Sequence, residues 1–319
     1  MKFGKKNNAL KIHIIITWIF RRTTRVIELP SKEIRNFGII GDPLDHTLSP
    51  KMHIAAFKAG GFPNYNYIAM PIPAGRLMLT VDGLKGLEFR GINVTIPHKT
   101  NIIRFLDAID PDAKIIGAVN TIVNDGGMLT GYNTDVTGFL SSLSEANFMP
   151  EDCNAVVLGA GGAARAVVWG LCKRKAGFIT VGARNEQKVK VFAEEFQQFG
   201  NVAGLDWTTE EFKETLQTAD ILINTTPLGM FPNFDEMPPV DLLLLPEGAF
   251  VYDIIYNPEK TKFLQEAEKL GFPTLNGLSM LLFQGEEAYR LFTGELPDLD
   301  IMRRVIKQEL KSWQKETEQ

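Results

Sequence analysis

Cysteine is scarce. Only Cys153 and Cys172 occur in 319 residues, and they form no CxxC pair. Four scattered histidines offer no metal-ligand spacing. These shortages exclude a disulfide-built scaffold and argue against a zinc or other metal site, so both cysteines are expected as reduced, buried thiols of a cytoplasmic protein. No apolar run is long enough to span a bilayer, and no internal repeat with a period of roughly 20–50 residues occurs. Positive charge is also sparse beyond the start. Residues 1–35 hold nine Lys/Arg against two Glu, so the chain from Asn36 onward is near −11, although the formal total is only −4. An acidic body argues against nucleic acid as a partner. It also leaves the attraction of any anionic ligand to local positive groups.

What is present is ordinary for a globular chain, with 45% hydrophobic and 23% charged residues and a length that suggests two domains. The odd part is "LKIHIIITWIFRRTTR", an apolar stretch between basic flanks. Arginines follow it where a signal peptide would need small residues, and it is too short for a membrane span. An extra strand, a membrane-surface segment and a start placed upstream of the true one are all open readings. The reading preferred for residues 1–35 is a poorly ordered or non-native extension, with no membrane partner.

From Phe37 short apolar strands alternate with amphipathic helices: "FGIIG", "SPKMHIAAFKAGG", "YNYIAMPI", "GRLMLTVDGLKGLEF", "GINVTI" and a helix through "NIIRFLDAI". This order predicts an α/β fold with a mainly parallel sheet covered on both faces. In "AVNTIVNDGGMLTGYNT" two period-two runs flank Asp-Gly-Gly, a hairpin signal. A helix through "GFLSSLSEANF" precedes a second series of strands at "CNAVVLG", "GFITVGAR", "ADILINTTP" and "AFVYDIIY". The segment "MFPNFDEMPP" reads as a proline-rich loop. Helices around Leu278–Phe292 and Leu299–Trp313 close the chain. The expected division is 36–134 as one α/β domain, with helices from 276–319 packing back on it, and 135–275 as a second.

"VVLGAGGAARAVV" fits a dinucleotide-binding turn. Gly159, Gly161 and Ala164 fill a GxGxxA pattern after an apolar strand and at a helix start. Gly159 permits the tight turn, Gly161 lets the backbone approach a pyrophosphate, and Ala164 allows close helix–strand packing. NAD binders commonly place a carboxylate about 20 residues on, at the end of the second strand. Here "ITVGARNEQK" offers none before Glu186 and supplies Arg184 and Lys188 instead. Those cations suit the extra phosphate of NADP. The plainer alternative is a solvated charged turn.

At predicted strand ends of the first domain, "HTLSP", "NVTIPHK" and "GYNTD" supply Thr47, Ser49, Asn93, Thr95, Lys99, Thr134 and Asp135, with Asn120 from "GAVNT". Carboxyl ends of strands are where open α/β sheets place ligands. The set suits a small polyhydroxylated carboxylate. Taken alone, Lys99 reads equally as a surface lysine and Asp135 as a helix N-cap. His46 and His98 lie nearby, and neither has an orienting carboxylate in sequence. Both read as supporting or surface residues.

In combination, "HTLSP", "NVTIPHK", "GAVNT", "GYNTD", "GAGGAAR", "IYNP" and "NGLSMLLFQG" closely resemble the shikimate dehydrogenase family and its quinate-accepting relatives, from about Phe37 to the last helices. The resemblance implies an N-terminal substrate-binding α/β domain and a Rossmann-like domain with a cleft between them. It implies NADP-dependent interconversion of 3-dehydroshikimate and shikimate, with a monomer or homodimer expected. Lys99 and Asp135 would form the catalytic pair. Thr47, Ser49 and Tyr256 match residues near the substrate carboxylate. Asn93, Thr95, Asn120, Thr134 and Gln284 match those around the ring hydroxyls. Gly159, Gly161, Gly162, Ala163, Ala164, Arg165, Arg184, Asn185, Lys188 and Gly277 match the cofactor side. Two positions depart from the family pattern. Thr47 stands where serine is usual, which leaves a quinate-accepting enzyme with broader cofactor use as the alternative. Ala183-Arg184-Asn185 replaces the usual Asn-Arg-Thr, so preference for NADP is expected to be less strict. A catalytically inactive, ligand-sensing relative is a further alternative, disfavoured because Lys99 and Asp135 are both present.

Overall fold

The computed structural model describes residues 34–317, so the expectations for the basic extension fall outside the described residues save for Ile34 and Arg35. The first half of the chain runs β1 (Arg35–Gly41), α1 (Ser49–Ala59), β2 (Tyr65–Pro71), α2 (Leu77–Gly86), β3 (Gly91–Val94), β4 (Ala108–Ile109), α3 (Pro111–Ile116), β5 (Thr121–Asp125) and β6 (Met128–Tyr132). These strands form one sheet in the order β2-β1-β3-β5-β6-β4. β1 pairs in parallel with β2 and β3, as βαβ crossovers require, while the hairpin β5–β6 adds itself antiparallel to β3. The hairpin turns at Gly126-Gly127, with Asp125 opposite Met128.

One stretch departs from the expected helix through "NIIRFLDAI". The segment Asn101–Phe105 is a 3₁₀ turn, and the chain then enters β4. Asp107 explains the change. Its backbone N–H donates to the Leu129 carbonyl, and its carboxylate accepts from the Leu129 N–H at 2.7 Å, which draws the segment onto β6. Asp110 then caps α3, a helix not anticipated from the sequence, by accepting from the Asp112 N–H at 3.0 Å.

Side-chain alternation divides the first sheet. Ile40, Ile92, Val94 and Ile122 face α2, whereas Phe37, Ile39 and Tyr67 face α1 and the two terminal helices. α4 (Asp135–Glu145) then leads to a second set of elements: β7 (Asn154–Leu158), α5 (Gly162–Lys173), β8 (Phe178–Ala183), α6 (Glu186–Glu194), β9 (Val202–Asp206), α7 (Glu210–Leu216), β10 (Ile221–Asn224), β11 (Phe250–Asp253), α8 (Lys262–Lys269) and β12 (Thr274–Leu275). These strands form a wholly parallel sheet, β12-β11-β10-β7-β8-β9. Edge strands β9 and β12 were not read from the sequence. Cys153 lies immediately before β7 and not within a strand; it and Cys172 of α5 are buried and free. Burial pushes their thiols up to about 12 and about 11.

α9 (Leu278–Thr293) and α10 (Leu299–Thr317) end the chain. α10 lies along α1, while α9 crosses α4. At that crossing a Cβ on Gly138 would come within 2.6 Å of the Met280 carbonyl oxygen, so the helices meet backbone to backbone. α9 reaches both cores: Leu278 and Leu282 pack against the first sheet and Met280 against the second. Among the described residues no helix is long and apolar enough to cross a membrane.

Candidate active site

The carboxyl ends of β3, β7 and β10 and the first turn of α4 converge between the two sheets. Beyond β3 the chain passes Thr95 and Pro97 to Lys99, whose carbonyl accepts from the Val119 N–H at 2.8 Å. Asp135 is the first residue of α4, not its N-cap, and its carboxylate caps no backbone N–H. Lys99 Nζ donates to Asp135 Oδ2 at 2.6 Å, with the two side chains only 16% and 8% exposed. Asn120 Nδ2 donates to the other oxygen, Asp135 Oδ1, at 2.8 Å. A largely desolvated carboxylate is thus held between an ammonium and an amide.

The glycine turn meets the same point. A Cβ on Gly162 would lie 3.4 Å from Lys99 Cβ, so the start of α5 rests against the lysine stem. Gly159 has φ +108°, a region that favours glycine, and a Cβ there would stand 2.8 Å from Thr225 Oγ1. Gly161, by contrast, faces open space, with nothing within 4 Å of an added Cβ. Ala164 is fully buried beneath the turn. Glycines that clear a helix N-terminus in this way leave backbone N–H groups open to a pyrophosphate. Gly277 has an ordinary φ of −74°, but its Cβ would meet the Ile254 carbonyl oxygen at 1.9 Å. Its need for glycine is steric.

Further along the cofactor side, a cleft of about 410 Å³ is lined by Ala160, Arg165, Asn185, Lys188, Phe192 and Glu195, among others. Asn185 caps α6, its side chain accepting from the Lys188 N–H at 2.8 Å. Arg184 and Lys188 are exposed and form no ion pair with the described residues. Arg165 is already engaged, donating to the Ile116 carbonyl and to Glu195 and lying over the rings of Phe192 and Phe196 at 5.5 and 5.4 Å. Turn, cleft and free cations together fit a dinucleotide carrying an extra phosphate. Ala163 completes the first turn of α5, half-buried.

The remaining predicted residues fall into two groups. Asn93, Asn120 and Thr134 join the Lys99–Asp135 network. The Asn120 amide also donates to Thr134 Oγ1 at 3.0 Å, and its oxygen accepts from the Thr134 N–H at 2.7 Å. Pairing of β3 with β5 sets Asn93 opposite Thr121, and Asn93 Nδ2 donates to Thr121 Oγ1 at 3.0 Å. Thr47, Ser49, Thr95, Tyr256 and Gln284 lie outside this network. Ser49 is buried at the start of α1, while Thr47 and Thr95 are half-buried. The Tyr256 hydroxyl faces the His46 carbonyl at 3.5 Å, and burial pushes its phenol up to about 12. The Gln284 amide turns back on its own helix, donating to the Leu281 carbonyl at 2.8 Å. His98 is buried with a ring nitrogen 2.6 Å from the Ile72 carbonyl, and His46 packs against Phe231 and Trp313. Neither histidine touches the lysine–aspartate pair. Among the described residues no cluster of His, Cys, Asp and Glu could hold a metal.

Sequence reasoning missed Tyr67 and Thr121. The alternation in "YNYIAM" turns Tyr67 inward, but Thr121 is recruited only by strand register. It also missed Asp253, fully buried at the end of β11. Asp253 accepts from Asn224 Nδ2 at 3.1 Å, the Ile255 N–H at 3.1 Å and Thr261 Oγ1 at 2.7 Å.

Such a site, a parallel dinucleotide-binding sheet facing a lysine–aspartate pair in a polar pocket, defines a nicotinamide-dependent dehydrogenase. Family models match three stretches: shikimate dehydrogenase substrate binding domain over residues 39–122, shikimate/quinate 5-dehydrogenase over 142–228, and shikimate 5'-dehydrogenase C-terminal domain over 277–307. The NADP(+) shikimate dehydrogenase of Moorella thermoacetica is 44% identical over 274 residues, covering 85% of this chain and 92% of its own. That of Methanothermobacter thermautotrophicus is 41% identical, covering 86% and 96%. The crystal structure of the Thermus thermophilus enzyme in complex with NADP(H) and shikimate has a TM-score of 0.77 at 35% identity, covering 86% of this chain and 99% of that one. The chain belongs to the shikimate dehydrogenase family.

Proposed function

We propose that this protein catalyses the reversible, NADP-dependent reduction of 3-dehydroshikimate to shikimate, with residues 36–134 and the helices of 276–319 as the substrate side and 135–275 as the cofactor side. The observation that carries the reading is the 2.6 Å contact between Lys99 and Asp135, made where Gly162 of the dinucleotide turn touches the lysine stem. When bound, the nicotinamide supplies or accepts the hydride. As the ketone is reduced, negative charge develops on its oxygen, and the Lys99 ammonium stabilises that oxygen and donates the proton. Asp135 orients the lysine through their 2.6 Å contact. Both Asn120 amide hydrogens are engaged within the protein, so Asn120 acts by holding Asp135.

Thr47, Ser49 and Tyr256 receive the substrate carboxylate, and Asn93, Thr95, Thr134 and Gln284 face the ring hydroxyls. Gly159, Gly161, Gly162, Ala163 and Ala164 shape the pyrophosphate site, and Gly277 admits the nicotinamide. Arg184 and Lys188 receive the extra phosphate, with Asn185 and Arg165 lining the adenosine side. Thr47 favours a second reading, an enzyme that also accepts quinate, because its methyl group reshapes the carboxylate end. Comparing kcat/KM for shikimate and quinate, each with NADP and NAD, tests both. Shikimate with NADP is expected to dominate; comparable quinate turnover supports the second reading, and no turnover of either acid overturns the proposal.

A further inference from the structure

Tyr67 lies on β2, away from every motif that identifies the family, yet its phenol reaches a residue assigned to the substrate. Tyr67 is 2% exposed. Its hydroxyl donates to Asn93 Oδ1 at 2.6 Å. The ring stacks on His53 at 4.6 Å and an interplanar angle of 4°. Burial lowers the His53 imidazole to about 3, so the stack is between two neutral rings.

The donor inventory gives this arrangement a direction. The Asn93 amide hydrogens go to the Asn120 carbonyl at 3.3 Å and to Thr121 Oγ1 at 3.0 Å. Its oxygen takes the phenol proton, which leaves one acceptor lone pair and no donor. The phenol has a single proton and has given it to Asn93. The geometry points to Tyr67 as a positioning residue that fixes Asn93 as an acceptor for a substrate hydroxyl. This rests on the proposed function and deepens it. Asn93 is thereby set to receive a ligand that donates a hydroxyl to it.

The test is Tyr67→Phe in the full chain, which keeps the ring and its stack and removes only the hydroxyl. Loss of one hydrogen bond that orients the site is expected to raise KM for shikimate about tenfold, with kcat and KM for NADP changed less than twofold. In an Asn93→Ala background the added Tyr67→Phe is expected to change KM for shikimate less than twofold, because the group it orients is gone. An unchanged KM in the single variant, full additivity in the double variant, or loss of the thermal melting transition on Tyr67→Phe would each overturn the inference, the last by assigning the phenol to the fold. Wild-type protein that does not turn over shikimate defeats the proposed function and this inference together. Normal wild-type turnover with an unaffected Tyr67→Phe defeats this inference alone.

Discussion

The proposed cofactor and substrate sides of the cleft are built by opposite means. On the cofactor side, function follows from what side chains leave out: Gly159, Gly161 and Gly277 clear the backbone, and the charged groups Arg184 and Lys188 stand free in solvent. On the substrate side it follows from what side chains do to one another, since Tyr67, Asn93, Thr121, Asn120, Thr134 and Asp135 form one buried hydrogen-bonded chain ending at Lys99. A site made of backbone is rigid because its sheet is rigid. A site made of linked polar side chains is rigid only while every partner is present, because each unpaired buried group is penalised. Changes on the substrate side should therefore spread, and changes on the cofactor side should stay local.

The largest expected effect is at the junction. Lys99→Met should lower kcat by ~10³-fold with little change in KM for NADP, since it removes both the charge that stabilises the developing oxyanion and the proton donor. Steady-state kinetics with each substrate varied decides this, and a loss confined to KM would break the contrast drawn above. Arg184→Ala should raise KM for NADP by about 10- to 100-fold and leave NAD kinetics unchanged, the range expected for one charge-assisted contact. Equal losses with both cofactors would mean that the arginine supports the fold. Gly277→Ala should destabilise by about 1–3 kcal/mol, because the new methyl overlaps the Ile254 carbonyl; urea unfolding measures it.

The most gradual effect is a slope in pH. Burial raises the Asp253 carboxyl from 3.8 to about 7. The folded chain thus holds this proton more tightly than the unfolded chain does. The stability it contributes is complete at and below the ordinary carboxylate range, declines as pH rises toward about 7, and is absent above. Urea midpoints across that window should fall for the wild type, and Asp253→Asn should flatten the difference.

The same contrast explains what the sequence could disclose. The GxGxxA turn is legible because its rule is local: strand, tight turn, helix, with small residues at fixed offsets. The doubly wound second sheet is legible for the same reason, apart from β9 and β12, whose short runs "VAGLD" and "TL" carry little alternation. The substrate network is not local. Lys99 and Asp135 come from different elements, and only the family resemblance paired them. Thr121 enters through strand register, and Tyr67 through a strand that shares no motif with the site. The region between Asn101 and Ile116 was misread because "NIIRFLDAI" has a helical apolar pattern, while Asp107 and Asp110 direct the chain by hydrogen bonds to specific partners. Pattern reports which face of an element is buried; it does not report the partner of a buried polar atom.

The bare crossing at Gly138 has a mechanical outcome. With no side chain to act as a cushion, α4 and α9 are coupled as stiffly as two touching backbones allow, and close-packed interiors pass on displacement instead of absorbing it. Asp135 opens α4, so the reach of its carboxylate is geared to the seating of a carboxy-terminal helix far downstream in the chain. Any change in the seating of that helix would thereby be felt at the lysine–aspartate pair.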